Sequence, residues 1–203
     1  MSALEALPEP VFSAEPLVVW RSWRLCLQRE SPRICPIGDR GHPWRPFVPL
    51  RAACARRRFH RAPAPGCACG IYGLKDVMVL GSARSPAVIG TVALWGRVIE
   101  HQLGFRGEFA YPQRLRLVCV ECFWRRGPFA SGPTFVALFR RGTALPLCPA
   151  HLAVARECDL HIRSVRRASE MEEALLSAYA VDLLPAESSQ ERRGEIETVT
   201  TGL

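Results

Sequence analysis

Hydrophobic and polar residues alternate most cleanly between Val88 and Ile99. Val88, Gly90, Val92, Leu94, Gly96 and Val98 fall on one face, and Ile89, Thr91, Ala93, Trp95, Arg97 and Ile99 on the other. A period of two residues is that of a β-strand. Apolar side chains on both faces as far as Trp95 predict a strand covered on both sides, as in a barrel or sandwich. Glycines at 90 and 96 leave room for a bulge or for a neighbouring chain to press close. The character then changes abruptly. Arg97, Glu100, His101, Arg106, Glu108 and Tyr111 crowd together, and Gly104 and Gly107 predict a turn into a second strand, Glu108–Tyr111, ended by Pro112. Such a cluster is either a site held on a rigid element or a buried ion-pair network.

The rest of the chain reads as follows. Residues 1–16 have no period and read as a flexible leader. Leu17–Leu27, rich in β-branched and aromatic side chains, reads as a first strand. Residues 28–50 read as an irregular loop with turns at Gly38-Asp39 and Gly41, with Trp44 and Phe47 packed onto the core. A helical turn followed by a strand is expected over Ile71–Leu80, then a polar loop over Gly81–Pro86. Further strands are expected at Leu115–Val120 and Thr134–Arg140, the latter followed by a turn at Arg141-Gly142. Pro149 suits the first position of a helix, which predicts Pro149–Glu157 as helical with His151 in its first turn. Ser169-x-x-Glu172 has the form of a capping box ahead of Met171, Leu175, Leu176 and Tyr179. It predicts a helix to Leu184, stopped by Pro185, whose apolar face docks on the chain's own core. Residues 186–203 are polar and read as a disordered tail. No internal repeat is found.

These elements define an α+β chain, mostly β: a small β-barrel or sandwich-like core with a zinc-finger-like appendage and a C-terminal helix. The divisions are a leader at 1–16, a core at 17–117, a metal module at 118–160, and a helix with an acidic tail at 161–203. At 203 residues the chain can bury a sizeable core. No run of eighteen apolar residues is present, so no membrane span is expected. The acidic, proline-containing start is unlike an export signal, which points to the cytoplasm.

Charge sharpens the picture. The formal net charge is +8. Between Pro16 and Arg156, however, 22 basic side chains face 6 acidic ones, and the acids gather at the two ends. Arginine accounts for 26 of the 27 basic residues, as a GC-rich genome would produce. Six acids cannot neutralise the excess, so an exposed positive surface is expected, with nucleic acid its commonest partner. Arg51–Arg61 is the most basic segment. Arg56, Arg57, Arg58 and Arg61 are candidate phosphate contacts, Arg97, His101 and Arg106 a candidate second contact, and Phe59 and Trp44 candidate stacking platforms. A solvated charged face is the alternative for the Arg51–Arg61 segment, and plain core the alternative for Phe59 and Trp44.

Nine cysteines without an export signal argue against a disulfide framework. Cys26, Cys35 and Cys158 stand apart from any cluster. Cys119-x-x-Cys122 and Cys148-x-x-His151 form two close pairs of soft ligands, which together supply the four corners of a tetrahedral zinc site. This segment, residues 117–157, resembles treble-clef and zinc-ribbon fingers. The resemblance implies one structural zinc, with Cys119 and Cys122 on a strand-turn knuckle. Cys54, His60, Cys67 and Cys69 offer a second ligand set, with redox or buried thiols as the alternative and an iron–sulfur cluster as another; the histidines favour zinc. HRAPAPGCACGIYG and VALWGRVIEHQLGFRGEFAYP resemble small proteins of high-GC bacteria and their phages over Trp44–Cys122. That likeness implies no activity.

Three functional readings follow: nucleic-acid binding through an arginine-rich surface; a protein–protein adaptor using the C-terminal helix and tail; or an enzyme using Glu100 or Glu108 with His101 as acid–base groups. No nucleophile motif, phosphate-cradling loop or open catalytic zinc pattern supports the third.

Overall fold

The computed structural model describes residues 11–37, 42–56, 59–82, 86–130, 132–139, 142–158 and 160–186. Outside this set lie the turn expected at Gly38-Asp39 and Gly41, the centre of the Gly81–Pro86 loop, Arg141, residues 1–10 and the tail from 187 onward.

Among the described residues, ten strands and three α-helices make a mostly β, largely antiparallel fold. The alternating stretch forms β5 (Val88–His101), paired along its length with β6 (Gly104–Leu117). The other edge of β5 takes β1 (Val11–Gln28) from Val11 to Trp23. Strand β4 (Ile71–Leu74) bridges β6 back to β1 through Trp20 and Leu74, so β1, β5, β6 and β4 form a small ring. Close approach makes this closure possible. A Cβ on Gly104 would lie 2.0 Å from the Gly73 carbonyl oxygen, and one on Gly73 would lie 2.1 Å from a Val19 methyl.

Beyond Trp23, β1 leaves the ring and enters a second sheet. There it pairs with β2 (Ser31–Cys35) and, at Leu25 and Cys26, with β8 (Thr143–Leu147). Strand β8 carries β7 (Phe135–Leu138), which carries β9 (Ser164–Arg167). Short strands β3 (Leu50–Arg51) and β10 (Asp182–Leu183) flank β6, the latter in parallel. The helices are α1 (Val120–Arg126), α2 (Pro149–Glu157) and α3 (Ala168–Tyr179). Met171, Leu175 and Tyr179 of α3 are buried in the main core with Trp23, Ile34, Trp44, Val92, Leu94 and Leu115. That is the self-docking expected of this helix.

Several elements differ from expectation, each for a local reason. The first strand begins at Val11, inside the segment read as a leader, because its start finds hydrogen-bonding partners at Val98 and Arg97. The expected 28–50 loop contains β2, whose Pro32 lies beside Leu27 in the hairpin. Pro112 does not end β6. It sits at a register shift, with Thr91 opposite Arg114 and Val92 opposite Pro112, where a missing N–H costs no ladder bond. Over Ile71–Leu80 the order is reversed: strand first, then a 3-10 helix at Val77–Ser82. Trp44 is buried edge-on against Trp23, so it is core rather than a stacking platform, whereas Phe47 is 71% exposed instead of packed.

The capping box is not used. Arg167 is the N-cap of α3 and makes no side-chain cap bond, while the Glu172 carboxylate accepts the Leu117 N–H at 2.7 Å. The helix stops at Tyr179, because Ala180 turns left-handed (φ 49°) and Leu184 returns to the sheet, its N–H reaching the Leu115 carbonyl. Cys26 and Cys35, expected to stand apart, also differ from expectation: across the β1–β2 hairpin the two are joined by a disulfide.

Two tyrosines lock the loop after β2 to α3. The buried Tyr179 hydroxyl accepts the Ile34 N–H at 3.2 Å and donates to the Trp44 carbonyl at 2.7 Å. Tyr111 donates to the Tyr179 carbonyl and accepts the Phe47 N–H, both at 2.9 Å. Burial pushes the Tyr179 hydroxyl up to about 12, so it remains a neutral donor. Tyr179→Phe would leave a buried N–H and a buried carbonyl without this partner. We expect a loss of about 1–3 kcal/mol in denaturant unfolding with the fold retained; an unchanged midpoint would show that the hydroxyl contributes nothing.

Candidate metal centres and the Glu108 cluster

The first Cys/His set is assembled at two helix starts. Strand β6 runs out at Leu117, and two residues later Cys119 is the N-cap of α1, with Cys122 in its first turn. The pair therefore lies on a strand-to-helix junction rather than the strand-turn knuckle expected. Cys148 caps α2, with Pro149 and His151 both in its first turn, as expected. A small apolar cluster, including Ala137, Leu147, Leu152 and Ala155, surrounds the site.

Nδ1 of His151 lies 3.4 Å from Cys119 Sγ, 3.4 Å from Cys122 Sγ and 3.1 Å from Cys148 Sγ, and Cys122 and Cys148 sulfurs are 3.8 Å apart. An ion at tetrahedral centre, about 2.3 Å from sulfur and about 2.0 Å from nitrogen, requires edges of about 3.8 Å between sulfurs and about 3.5 Å from sulfur to nitrogen. Three of these four distances match and the Cys148–His151 edge is shorter, and the set could hold a metal ion.

Electrostatics point the same way. Burial pushes the Cys122 thiol up to about 12, and the neighbouring Cys119 and Cys148 thiols add to the effect. Burial also opposes ionisation of Cys148, but N–H groups of His151 and Ala150 at the start of α2, with hydrogen bonds from the other two thiols, hold it below the usual range. Thiols crowded in this way resist ionising together. A central cation removes that resistance, so metal uptake and proton release are coupled.

The second set, Cys54, His60, Cys67 and Cys69, lies in the loop between β3 and β4, and all four are half-buried. Cys54 and Cys67 sulfurs are 3.8 Å apart, and His60 Nε2 lies 3.2 Å from Cys69 Sγ. This set too could hold a metal ion. The Cys67–Cys69 turn is fastened from below. The Arg106 guanidinium donates to the Cys67 carbonyl and, at 3.0 Å, to the Cys69 carbonyl, while Tyr72 donates to the Ala68 carbonyl at 2.8 Å.

Arg106 is thus buried in the service of the loop, and the second nucleic-acid contact expected from Arg97, His101 and Arg106 loses that member. His101 is half-buried against the Tyr72 ring; burial, then the Arg106 charge, lowers its pKa. Arg97 is half-buried. Arg56 is exposed and Phe59 fully so, while Arg57 and Arg58 lie outside the described residues. Arg61 forms an ion pair with Glu108.

Glu108 joins these parts. Its side chain is only 2% exposed. One oxygen, Oε1, accepts from Arg61 Nη2 at 2.9 Å and from Arg51 Nη2 at 3.4 Å. The carboxylate also takes the Arg97 N–H, which faces it at the bulge between Trp95 and Val98. Gly96 makes that bulge with φ +75°, and any Cβ there would lie 2.9 Å from the Phe109 ring. Phe109 stacks on Trp95, and the Arg51 guanidinium lies over the Phe109 ring at 5.5 Å. Glu100 is engaged elsewhere, with Lys75. Neither carboxylate stands ready as a general base. Arg51 and Glu108 were legible as a basic segment and a charged cluster, but nothing in their spacing, 57 residues apart, announces the pairing.

Burial by itself opposes ionisation of Glu108, but the Arg61 hydrogen bond and charge, the Arg97 N–H and Arg51 outweigh it and hold the carboxyl below its ordinary value. A carboxyl lowered in the folded state stabilises the fold above its unfolded pKa, and that contribution is lost as pH falls through the folded value. Thermal midpoints of the parent and Glu108→Gln should therefore differ most near neutrality. They should converge as the solution is acidified below the usual carboxylate range. Parallel profiles would mean that Glu108 is not the titrating group.

No protein-family model, curated protein or solved structure matches this chain, so its function is read from these two ligand sets and the charge around them.

Proposed function

We propose that this chain is a zinc-stabilised basic protein that binds nucleic acid through its arginine-rich surface. Three thiolates and an imidazole in a closed tetrahedral set favour zinc among divalent ions, and a set with no open corner favours a structural role over catalysis. The observation that carries the nucleic-acid reading is the loop over 52–69. There the second ligand set anchors a segment on which the Phe59 ring stands wholly in solvent, close in sequence to Arg56. A fully exposed aromatic ring close in sequence to arginines suits a base stacking on the ring while phosphates pair with the arginines. Contacts of this kind supply affinity more than sequence choice. No helix among the described residues is long and apolar enough to cross a membrane. A reducing compartment such as the cytoplasm would keep both ligand sets as thiols and would also open the Cys26–Cys35 disulfide.

Elemental analysis of purified protein should give close to two zinc ions per chain, one for each ligand set. Cys148→Ser and Cys69→Ser should each lose one. The first should also cost substantial thermal stability, since its ligands are packed into a core cluster. A metal-free protein of full stability would refute the zinc reading.

Arg56→Ala should lower the slope of log affinity against log salt by about 0.7–0.9 per lost phosphate contact. Phe59→Ala should weaken binding to single strands by about 1–3 kcal/mol. Binding to DNA and RNA that neither substitution alters would exclude this loop as the contact. Absence of any nucleic-acid binding would leave the adaptor reading in its place.

A further inference from the structure

Beside the second ligand set is a cavity of about 420 Å³ whose walls include Arg51, Arg61, His60, Cys54 and Glu108, the remainder being alanine. Three features set it apart from a solvated arginine pair. First, both guanidinium groups are fixed, because Nη2 of each meets the same buried oxygen, Glu108 Oε1, and Arg51 also rests on the Phe109 ring. Second, one carboxylate cannot neutralise two guanidiniums, and the Arg106 guanidinium under the Cys67–Cys69 turn offsets the single negative charge of a zinc held by three thiolates and an imidazole, so a positive charge remains. Their side chains are 62% and 59% exposed, which leaves most of their five N–H donors each without a buried partner. Third, Cys54 and His60 belong to the metal-ligand set, so an ion bound there would hold that wall in place.

We propose that this cavity binds a phosphomonoester, held by Arg51 and Arg61. A carboxylate would occupy a single guanidinium fork, whereas a terminal phosphate carries up to two charges and three free oxygens and can use both. A concavity also suits a chain end better than an internal phosphodiester, which must enter and leave. Within the nucleic-acid reading above, on which this source depends, the ligand is the terminal phosphate of a strand. The phosphate site itself does not need that reading. Glu108 acts here as a positioning residue: it aims the two arginines and limits their charge.

The test compares single-stranded oligonucleotides of one sequence carrying a 5′-phosphate, a 3′-phosphate or only hydroxyl ends, by fluorescence anisotropy on the metal-loaded full chain. Inorganic phosphate serves as a separate probe of thermal stability. One end-phosphorylated strand should bind about ten- to a hundredfold more tightly than the hydroxyl strand, the scale of hydrogen bonds to a charged group. Arg51→Ala should collapse that preference. Glu108→Gln, which keeps an acceptor oxygen to aim both arginines but removes the competing charge, should enlarge it; if that variant does not fold, Arg51→Ala decides alone. Equal binding of all three strands, unaffected by Arg51→Ala, would overturn the pocket and leave nucleic-acid binding intact. Binding of no strand, with inorganic phosphate still stabilising the parent but not Arg51→Ala, would keep the pocket and remove the nucleic-acid reading. Failure of strands and phosphate alike would overturn both.

Discussion

A carboxylate at 2% exposure cannot remain ionised without partners, because removing it from water costs several kcal/mol that only paired charges and donors offset. Glu108 meets this constraint with three segments distant in sequence: the end of β3 through Arg51, the metal-ligand loop through Arg61, and the β5 bulge through the Arg97 N–H. The arrangement specifies the local architecture as much as it stabilises it. The bulge has to be where it is for its free N–H to face the carboxylate, and the loop has to return across β6 for Arg61 to reach it. The second ligand set is then anchored from two sides, by Arg61 on Glu108 and by Arg106 under the Cys67–Cys69 turn.

The two ligand sets share a donor chemistry but are built differently. The Cys119/Cys122/Cys148/His151 set draws its geometry from the N-termini of two helices, the amides at the start of α2 favour the Cys148 thiolate, and the set is enclosed by an apolar cluster. The Cys54/His60/Cys67/Cys69 set has no helix, lies half-buried, and depends on side chains reaching across from β4 and β6. One is part of a core. The other is the fastening of a surface loop, and that loop carries the exposed Phe59 and lines the arginine cavity.

What could be read in the sequence was local and periodic. The alternation over Val88–Ile99 became β5, the proline after Cys148 marked the start of α2, and the close Cys/His pairs did converge, both sets of them. What could not be read depended on partners. Ser169 and Glu172 satisfy the capping pattern, yet Glu172 is drawn to the Leu117 amide, a partner visible only once α3 lies on the sheet. Pro112 reads as a stop until its neighbour across the ladder shifts register. Cys26 and Cys35 had no motif, since a disulfide across a hairpin is a matter of strand pairing and not of spacing. Trp44 reads from the sequence either as core or as a stacking platform, and its edge-on packing against Trp23 and the Tyr179 bond to its carbonyl place it in the core.

Strand β1 has eighteen residues and belongs to both sheets. Its partners are scattered along the chain: β2 follows at once, but Trp20 meets Leu74, Trp23 meets Val88, and Leu25 meets Ala144. The earliest described strand to leave the ribosome can therefore at first complete only its hairpin. Its long edge waits for β5, which starts at Val88, and its Leu25–Cys26 end waits for β8, which starts at Thr143. Folding limited by such distant pairings is slow, and an unpaired β1 is in that interval the segment most exposed to pairing with the wrong chain.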